Sequence, residues 1–248
     1  MAGPVRSGVR AVAMAAWTAG VTQTALLRLR LCTEDERGAV AQRWVQRWAS
    51  GLLELFGVEQ HWCSRRPAPP ERARLVVANH RSPIDIILML QHFRGSVLAR
   101  HDLADWPVMG RAAREGGTIF VDRADPRSGV KAIREIRRRL QAGQTVIVFP
   151  EGTTHAGDDV WPFLGGAFAA VNGLDAEVLP IGIAYDPGAE FVDASFLAHI
   201  KRAAQRPRTR VALCAGEARP AGHDRGALAD EMRRAVQELV HAARAQLG

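Results

Sequence analysis

Apolar and polar positions follow two different rhythms along this chain, and the change of rhythm divides it. From Ala11 to Leu27 no charged residue interrupts the sequence, and Arg6, Arg10, Arg28 and Arg30 flank the run. A charged turn, Glu34-Asp35-Glu36-Arg37, follows. From Val40 to Phe56 the residues Val45, Trp48, Leu52, Leu55 and Phe56 recur at helical spacing. Residues 1–58 are therefore expected to form a helical hairpin. Beyond the Pro-rich link Arg66-Pro67-Ala68-Pro69-Pro70, short apolar runs alternate with amphipathic stretches. Strands are predicted at Leu75–Ala78, Ser96–Ala99, Thr118–Val121, Thr145–Phe149, Val178–Ala184 and Arg210–Cys214. Helices are predicted at Pro83–His92, Trp106–Arg114, Ser128–Ala142, Gly166–Val171 and Gly226–Leu247. The helix from Ser128 places Val130, Ile133, Ile136 and Leu140 on one face and Lys131, Arg134, Arg137 and Arg138 on the other. Alternation of this kind predicts an α/β fold over residues 59–248, a largely parallel mixed sheet flanked by helices and preceded by the two-helix segment.

The first apolar run sits at the short limit for a membrane span, and its Ala, Gly, Thr and Gln23 content is mild. Ala15-Ala16-Trp17 is a poor signal-cleavage site because the residues after it stay apolar. Two readings of the hairpin stand. With Trp17, Trp44 and Trp48 it suits a membrane interface; equally, it is an ordinary hairpin packed on the domain. Peripheral or monotopic attachment is the reading expected here.

Composition adds bounds. With 47% hydrophobic and 24% charged residues over 248 positions, the chain can bury a full core. The net charge of +7 is carried almost wholly by arginine, since Lys131 and Lys201 are the only lysines. Such a surface suits anionic lipid, phosphorylated substrates or nucleic acid, although an arginine habit of composition produces the same count. Cys32, Cys63 and Cys214 lack metal-type spacing and read as reduced thiols of a cytoplasmic protein. No metal site is expected.

Chemistry gathers at the ends of the predicted strands, where parallel sheets place it. Asn79-His80-Arg81-Ser82-Pro83-Ile84-Asp85 joins the first of these strands to its helix. An imidazole there can take a proton from an alcohol near neutral pH, and Asp85 can hold its far nitrogen. The plainer alternative makes Ser82 a helix N-cap, with Pro83 in the first turn and Asp85 closing a capping box. Gly117-Thr118-Ile119-Phe120-Val121-Asp122-Arg123 ends another strand in a cation able to hold a phosphate, or in a surface ion pair. Phe149-Pro150-Glu151-Gly152-Thr153-Thr154 is a tight turn that presents Glu151, or merely ends a strand. Arg100 offers a second cation. Pro180, inside Val178-Leu179-Pro180-Ile181, points to a bulge or to an edge lining a pocket.

Taken in order, Asn79-His80…Asp85, Gly117…Arg123, Phe149…Thr153 and Val178…Ile181 resemble the four blocks of the glycerolipid acyltransferases, most closely the lysophosphatidic-acid acyltransferases. The resemblance runs from about Leu75 to Ala184 and extends to the helical N-terminus. It implies His80 as general base and Asp85 as its orienting partner. Arg123 and Arg100 would hold the acceptor's phosphate, Glu151 and Gly152 would position its glycerol, and Pro180 would shape the acyl-donor side. Apart from the resemblance, turn amides near Gly152 and Thr153 are the expected donors to the reaction's oxyanion. One departure stands out: that family usually continues its Glu-Gly-Thr block with Arg, and here Thr154 takes the place. A lyso-aminolipid such as lyso-ornithine lipid would need less phosphate grip.

The expected function is thus an O-acyltransferase that moves a fatty acyl group from acyl-CoA or acyl carrier protein to a lysolipid hydroxyl. 1-Acyl-sn-glycerol-3-phosphate is the first acceptor and lyso-ornithine lipid the second. The reaction would need no cofactor, metal or nucleic acid, and the protein would work at the cytoplasmic face of the cell membrane. A thioester hydrolase using the same pair and a non-catalytic lipid-binding protein are the competing expectations.

Overall fold

The structure, a computed structural model, describes residues 3–105, 109–191 and 195–248. It opens with two long helices, α1 (Gly3–Leu31) and α2 (Glu34–Phe56). Thr33 fixes the turn between them: its backbone N–H and its hydroxyl both donate to Glu36, at 3.0 Å each. The Trp17 indole donates to the Trp48 carbonyl at 3.1 Å, and the Trp48 indole to the Thr18 hydroxyl at 3.1 Å. Gly51 makes room for this contact, because a Cβ there would meet the Trp17 ring at 2.4 Å.

The body is one sheet of eight strands. These are β1 (Val58–Trp62), β2 (Ala73–Ala78), β3 (Gly95–Arg100), β4 (Ile119–Val121), β5 (Thr145–Val148), β6 (Ala176–Tyr185), β7 (Thr209–Ala215) and β8 (Arg219–Pro220). The order is β1-β7-β6-β2-β5-β3-β4, with β8 paired to the start of β6. From β6 to β4 every pairing is parallel, β7 is antiparallel to β6, and β1 is parallel to β7. The helices that flank the sheet are α3 (Ile84–His92), α4 (Met109–Glu115), α5 (Pro126–Gln141), α6 (Gly166–Val171), α7 (Phe196–Gln205) and α8 (Arg225–Ala245).

Because successive side chains of a strand point to opposite faces, each central strand feeds two cores. Leu75 and Val77 of β2 pack with Val146 and Val148 against Ile136 and Leu140 of α5, Phe168 of α6 and Met232 and Val236 of α8. Val76 and Ala78 pack with Ile147, Ile181 and Ile183 against Leu53 of α2, Leu88 of α3 and Ala203 of α7. Asp125 caps α5 by accepting the N–H groups of Arg127 and Ser128, and Asp224 caps α8 through those of Gly226 and Ala227.

The mixed, largely parallel α/β architecture agrees with the sequence pattern, and the predicted strands lie within a few residues of the observed ones. Trp106, Pro107 and Val108 of the predicted helix Trp106–Arg114 lie outside the described residues. Three elements were not legible in the pattern. Strand β1 carries Glu59, Gln60 and His61 at the sheet's edge, and β8 is very short. Helix α7 buries His199, Ala203 and Ala204 while Leu197 is 77% exposed, so its apolar stripe is faint.

The hairpin packs on the body rather than standing apart. Arg10 donates to the carbonyls of Ala204 and Arg206 beyond the end of α7, at 3.2 and 2.6 Å, and Arg6 to that of Gln205 at 2.7 Å. The other side of α1 leaves Val5, Val9, Val12, Leu27 and Leu31 exposed. Among the described residues no helix is long and apolar enough to cross a membrane.

The cysteine expectation is overturned. Cys63 and Cys214 are joined in a disulfide with Cα atoms 5.0 Å apart. Spacing of 151 positions hid this, but the β1–β7 register sets Trp62 opposite Leu213 and so brings the next residues together. Cys32 is the free cysteine.

His92, at the end of α3, donates from Nε2 to Gln60 Oε1 at 2.6 Å and meets the Trp62 ring edge-on. Burial, and secondarily the Arg66 charge, lowers its pKa from 6.5 to about 4. The unfolded chain therefore takes up this proton first. Stability that is complete above pH 6.5 should fall as the pH drops toward 4, by about 3 kcal/mol, and level off below it. Urea midpoints measured between pH 7 and pH 4 should show this slope in the native protein and a shallower one in His92→Gln.

Candidate active site

Strands β6, β2, β5, β3 and β4 are parallel neighbours, so their C-terminal ends share one edge of the sheet. Tyr185, the loop from Asn79, the turn at Glu151, Arg100 and Arg123 follow one another along it. Asn79 is fully buried and extends the β2–β6 ladder with its side chain. Its amide donates to the Ile183 carbonyl and accepts from the Ile183 N–H, both at 2.8 Å. That clamp holds the next residue, His80, at the mouth of the loop.

His80 Nδ1 lies 2.8 Å from Asp85 Oδ2. The same carboxylate oxygen accepts the backbone N–H groups of Arg81 at 2.6 Å and Ser82 at 2.8 Å. The other oxygen, Oδ1, accepts the Tyr185 hydroxyl at 2.5 Å. Asp85 is 0% exposed, so every lone pair it uses must find a protein donor. An anion in this position makes Nδ1 the protonated nitrogen and leaves the lone pair on Nε2, which has no partner among the described residues. The ring stacks on Phe149 at 4.3 Å. The two readings of this loop merge: Asp85 ties down the backbone at the helix start and orients the imidazole. Ser82 precedes Pro83, whose backbone is already helical, and its hydroxyl accepts from the Ile84 N–H at 3.3 Å, as an N-cap does, while also meeting His199 Nε2 at 3.0 Å.

A second buried carboxylate braces the loop from behind. Glu151 Oε2 accepts the His80 N–H at 2.7 Å and Arg81 Nη1 at 2.9 Å. Its Oε1 meets His155 Nε2 at 2.7 Å and accepts the Trp161 N–H at 2.9 Å. Arg81, 1% exposed, also donates to the carbonyls of Gly157, His80 and Asp159. Glu151 thus spends both oxygens inside the protein. Gly152 turns with φ +75°, Leu164 closes over it, and its N–H donates to the Phe149 carbonyl at 3.1 Å. Thr153 is exposed at the tip of the turn.

Arg100 and Arg123 are brought together because β3 and β4 are parallel, with Arg100 opposite Val121. Arg100 is held by Asp102 in a two-pronged pair at 3.1 and 2.7 Å. Arg123 has no hydrogen-bond or ion-pair partner among the described residues. Desolvation and then the Arg100 charge lower its pKa, as expected where two guanidinium groups crowd without an anion. Asp122, its sequence neighbour, instead accepts the Ala124 N–H and lies 3.7 Å from His101.

Pro180 is neither at an edge nor in a bulge. It is buried in β6 opposite Val77, where the strand's outer partner changes from β8 at Val178 to β7 at Ile181. The missing N–H falls at that seam and breaks no ladder bond, while its carbonyl accepts from Gly216 at 3.0 Å. An apolar cavity of about 370 Å³ runs from the hairpin (Leu26, Trp44, Trp48) to Pro83 and Ile84 at the start of α3. Pro180 does not line it. Among the described residues no group of His, Cys, Asp and Glu has the makings of a metal site.

Sequence reasoning did not single out Tyr185, Arg81, His155 or His199. Arg81 lay inside the quoted motif. The others had no local signal, since Tyr185 lies 100 positions from Asp85 and His199 117 from Ser82.

The fold is that of a solved lipid-acyltransferase structure, the 1-acyl-sn-glycerophosphate acyltransferase PlsC of Thermotoga maritima. The TM-score is 0.72 over 96% of this chain and 98% of that one, at 20% identity. Residues 63–184 match the family model described as Acyltransferase. A 1-acyl-sn-glycerol-3-phosphate acyltransferase of Neisseria gonorrhoeae is 35% identical over 121 residues, 48% of this chain and 48% of that protein. The match thus spans about half the length of that relative. The lyso-ornithine lipid O-acyltransferase of Pseudomonas aeruginosa is 29% identical over 236 residues, 92% of this chain and 90% of that protein.

Breaking the buried brace should be costly. Arg81→Met leaves Glu151 without its cation and should destabilise the fold by about 3–5 kcal/mol in denaturant unfolding. Arg81→Met combined with Glu151→Leu should recover part of that loss, giving a non-additive double-mutant cycle.

Proposed function

We propose that this protein transfers an acyl group from a thioester, acyl-CoA or acyl carrier protein, to the free hydroxyl of a lysolipid. The observation that supports this best is an imidazole at the C-terminal edge of the sheet with one nitrogen anchored on a buried carboxylate and the other without a partner among the described residues. His80 Nε2 takes the hydroxyl proton as the oxygen attacks the thioester carbonyl. The tetrahedral intermediate collapses with C–S cleavage, and the imidazolium returns the proton to the thiolate. Asp85 stabilises the imidazolium without itself changing charge. No acyl-enzyme, cofactor or metal enters this scheme. Positioned general-base catalysis supplies ~10²–10⁴-fold, and orientation and oxyanion stabilisation the rest. Since the Gly152 N–H is committed to its turn, the Thr153 N–H is the donor we assign to the oxyanion.

For the acceptor, 1-acyl-sn-glycerol-3-phosphate is the first choice. Arg123, with Arg100 beside it, is a cation on the same edge as His80 that lacks an anion. Glu151 acts as the brace of the base loop and reaches the acceptor through it, with Gly152 and Thr153 lining the approach. The second choice, lyso-ornithine lipid, is favoured by Thr154 and by the end-to-end similarity to the Pseudomonas enzyme. Residues 1–58 would rest on the membrane through the exposed valines and leucines of α1, with residues 59–248 above it. The supply of acyl thioesters, rather than the cysteines, argues for the cytoplasmic face.

Thioester consumption by the purified protein should depend on added lysophosphatidic acid or lyso-ornithine lipid. It should fall by about 10²–10⁴-fold in His80→Ala and in Asp85→Asn. Arg123→Ala should raise KM for lysophosphatidic acid and leave lyso-ornithine lipid untouched. Acceptor-independent hydrolysis would favour a thioesterase, and lipid binding without turnover a binding protein. Full activity in both His80→Ala and Asp85→Asn would sink the mechanism.

A further inference from the structure

The chain contains one tyrosine. Tyr185 stands at the end of β6, 1% exposed, and its hydroxyl donates at 2.5 Å to Asp85 Oδ1, the carboxylate oxygen that His80 does not use. We propose that Tyr185 is a positioning residue that keeps the Asp85 carboxylate ionised and turned with Oδ2 toward His80. The inference rests on His80 as the base.

Three donors converge on Oδ2, and Oδ1 has the tyrosine hydroxyl. Without that donor Oδ1 would be a buried anionic oxygen with no hydrogen-bond partner. The carboxylate would then gain by rotating or by binding a proton there, and either change takes away the anchor of the imidazole. A tyrosine suits the task because it donates without bringing charge. Its phenol is pushed well above its ordinary pKa, first by burial and then by the Asp85 charge, so it stays a donor across the working pH range.

Other charged groups near this pair come from every side. On the loop, Arg81 is neutralised by Glu151. From α7, His199 reaches the pair through the Ser82 hydroxyl. From α8, Arg244 donates to the Tyr185 carbonyl and pairs with Asp158, and next along the chain Asp186 pairs with Arg206. None of these donates to Oδ1 in the structure, so the tyrosine is not duplicated among the described residues.

The sign of the effect follows. In Tyr185→Phe the Asp85 carboxylate turns away or takes up a proton, and His80 loses the anion that holds its imidazolium. The imidazolium is disfavoured, and the acid limb of the kcat/KM profile moves to lower pH. A hydrogen bond to a charged group is worth about tenfold or more, so kcat should fall by about that factor. A merely structural tyrosine would lower the melting temperature and leave kcat and the pH profile of the folded protein unchanged, which overturns the proposal.

A second measurement does not need turnover. As the lone tyrosine, Tyr185 supplies the whole phenolate absorbance of the protein. In Asp85→Asn the phenol should ionise at least about one pH unit lower than in the native protein. Identical titrations in the two proteins overturn the proposal. If neither lysolipid acceptor supports turnover, the acyltransfer reading fails by itself, while the titration still reports whether Tyr185 faces the Asp85 anion.

Discussion

The buried negative charge of Asp85 is the constraint around which this site is built. A carboxylate at zero exposure is stable only where donors surround it, and here they come from two parts of the chain. The loop after β2 supplies His80 and two backbone N–H groups, and the end of β6 supplies Tyr185. Satisfying the charge therefore fixes the loop's path and the ring's orientation together. Glu151 repeats the device one strand away, accepting the His80 N–H while Arg81 balances its charge. His80 is thus held by its ring on one carboxylate and by its backbone on the other. A base so fixed needs little reorganisation when a proton arrives.

How much of this was legible in the sequence depends on the range of the interaction. His80 and Asp85 are near neighbours at a strand-to-helix junction, and alternating apolar runs place that junction on the active edge. Arg100 and Arg123 could be named from their strand ends, but their proximity needed the β3–β4 register. Glu151 was legible as a residue and not as a brace, because its partners lie on three separate stretches. Tyr185, His199 and the Cys63–Cys214 bond depend on strands and helices distant in the chain, and periodicity holds no register between such elements. Pro180 was misleading for a related reason. A proline looks out of place in a central strand until a change of partner at Val178 and Ile181 provides the gap it occupies.

The hairpin shows tertiary packing adding to pattern. Its apolar residues are divided between two surfaces. Trp17, Trp48 and Leu53 face inward, where the tryptophans' N–H groups find oxygen partners, and they continue into the lining of the cavity beside Pro83 and Ile84. Val5, Val9 and Val12 face outward. Interior packing uses the inner face of the hairpin, and the proposed surface attachment would use the outer face of α1. A lipid surface met by the outer face would then lie a helix diameter from the cavity, about 10 Å.

Charge counting is a poor guide to specificity in this molecule. The chain has 33 basic residues, yet those near the base are mostly committed: Arg81 to Glu151, Arg100 to Asp102, Arg244 to Asp158. Arg81 is the instructive case, since it sits next to His80, the proposed base, in sequence and would be the first guess for a phosphate ligand. Its guanidinium is instead turned to Glu151, His155 and three carbonyls, away from solvent. Among the described residues, the cation of this edge left without an anion is Arg123, three strands from β2. Acceptor choice should therefore reside at the β3–β4 end of the site, where one arginine can be exchanged without disturbing the buried charges that hold the base.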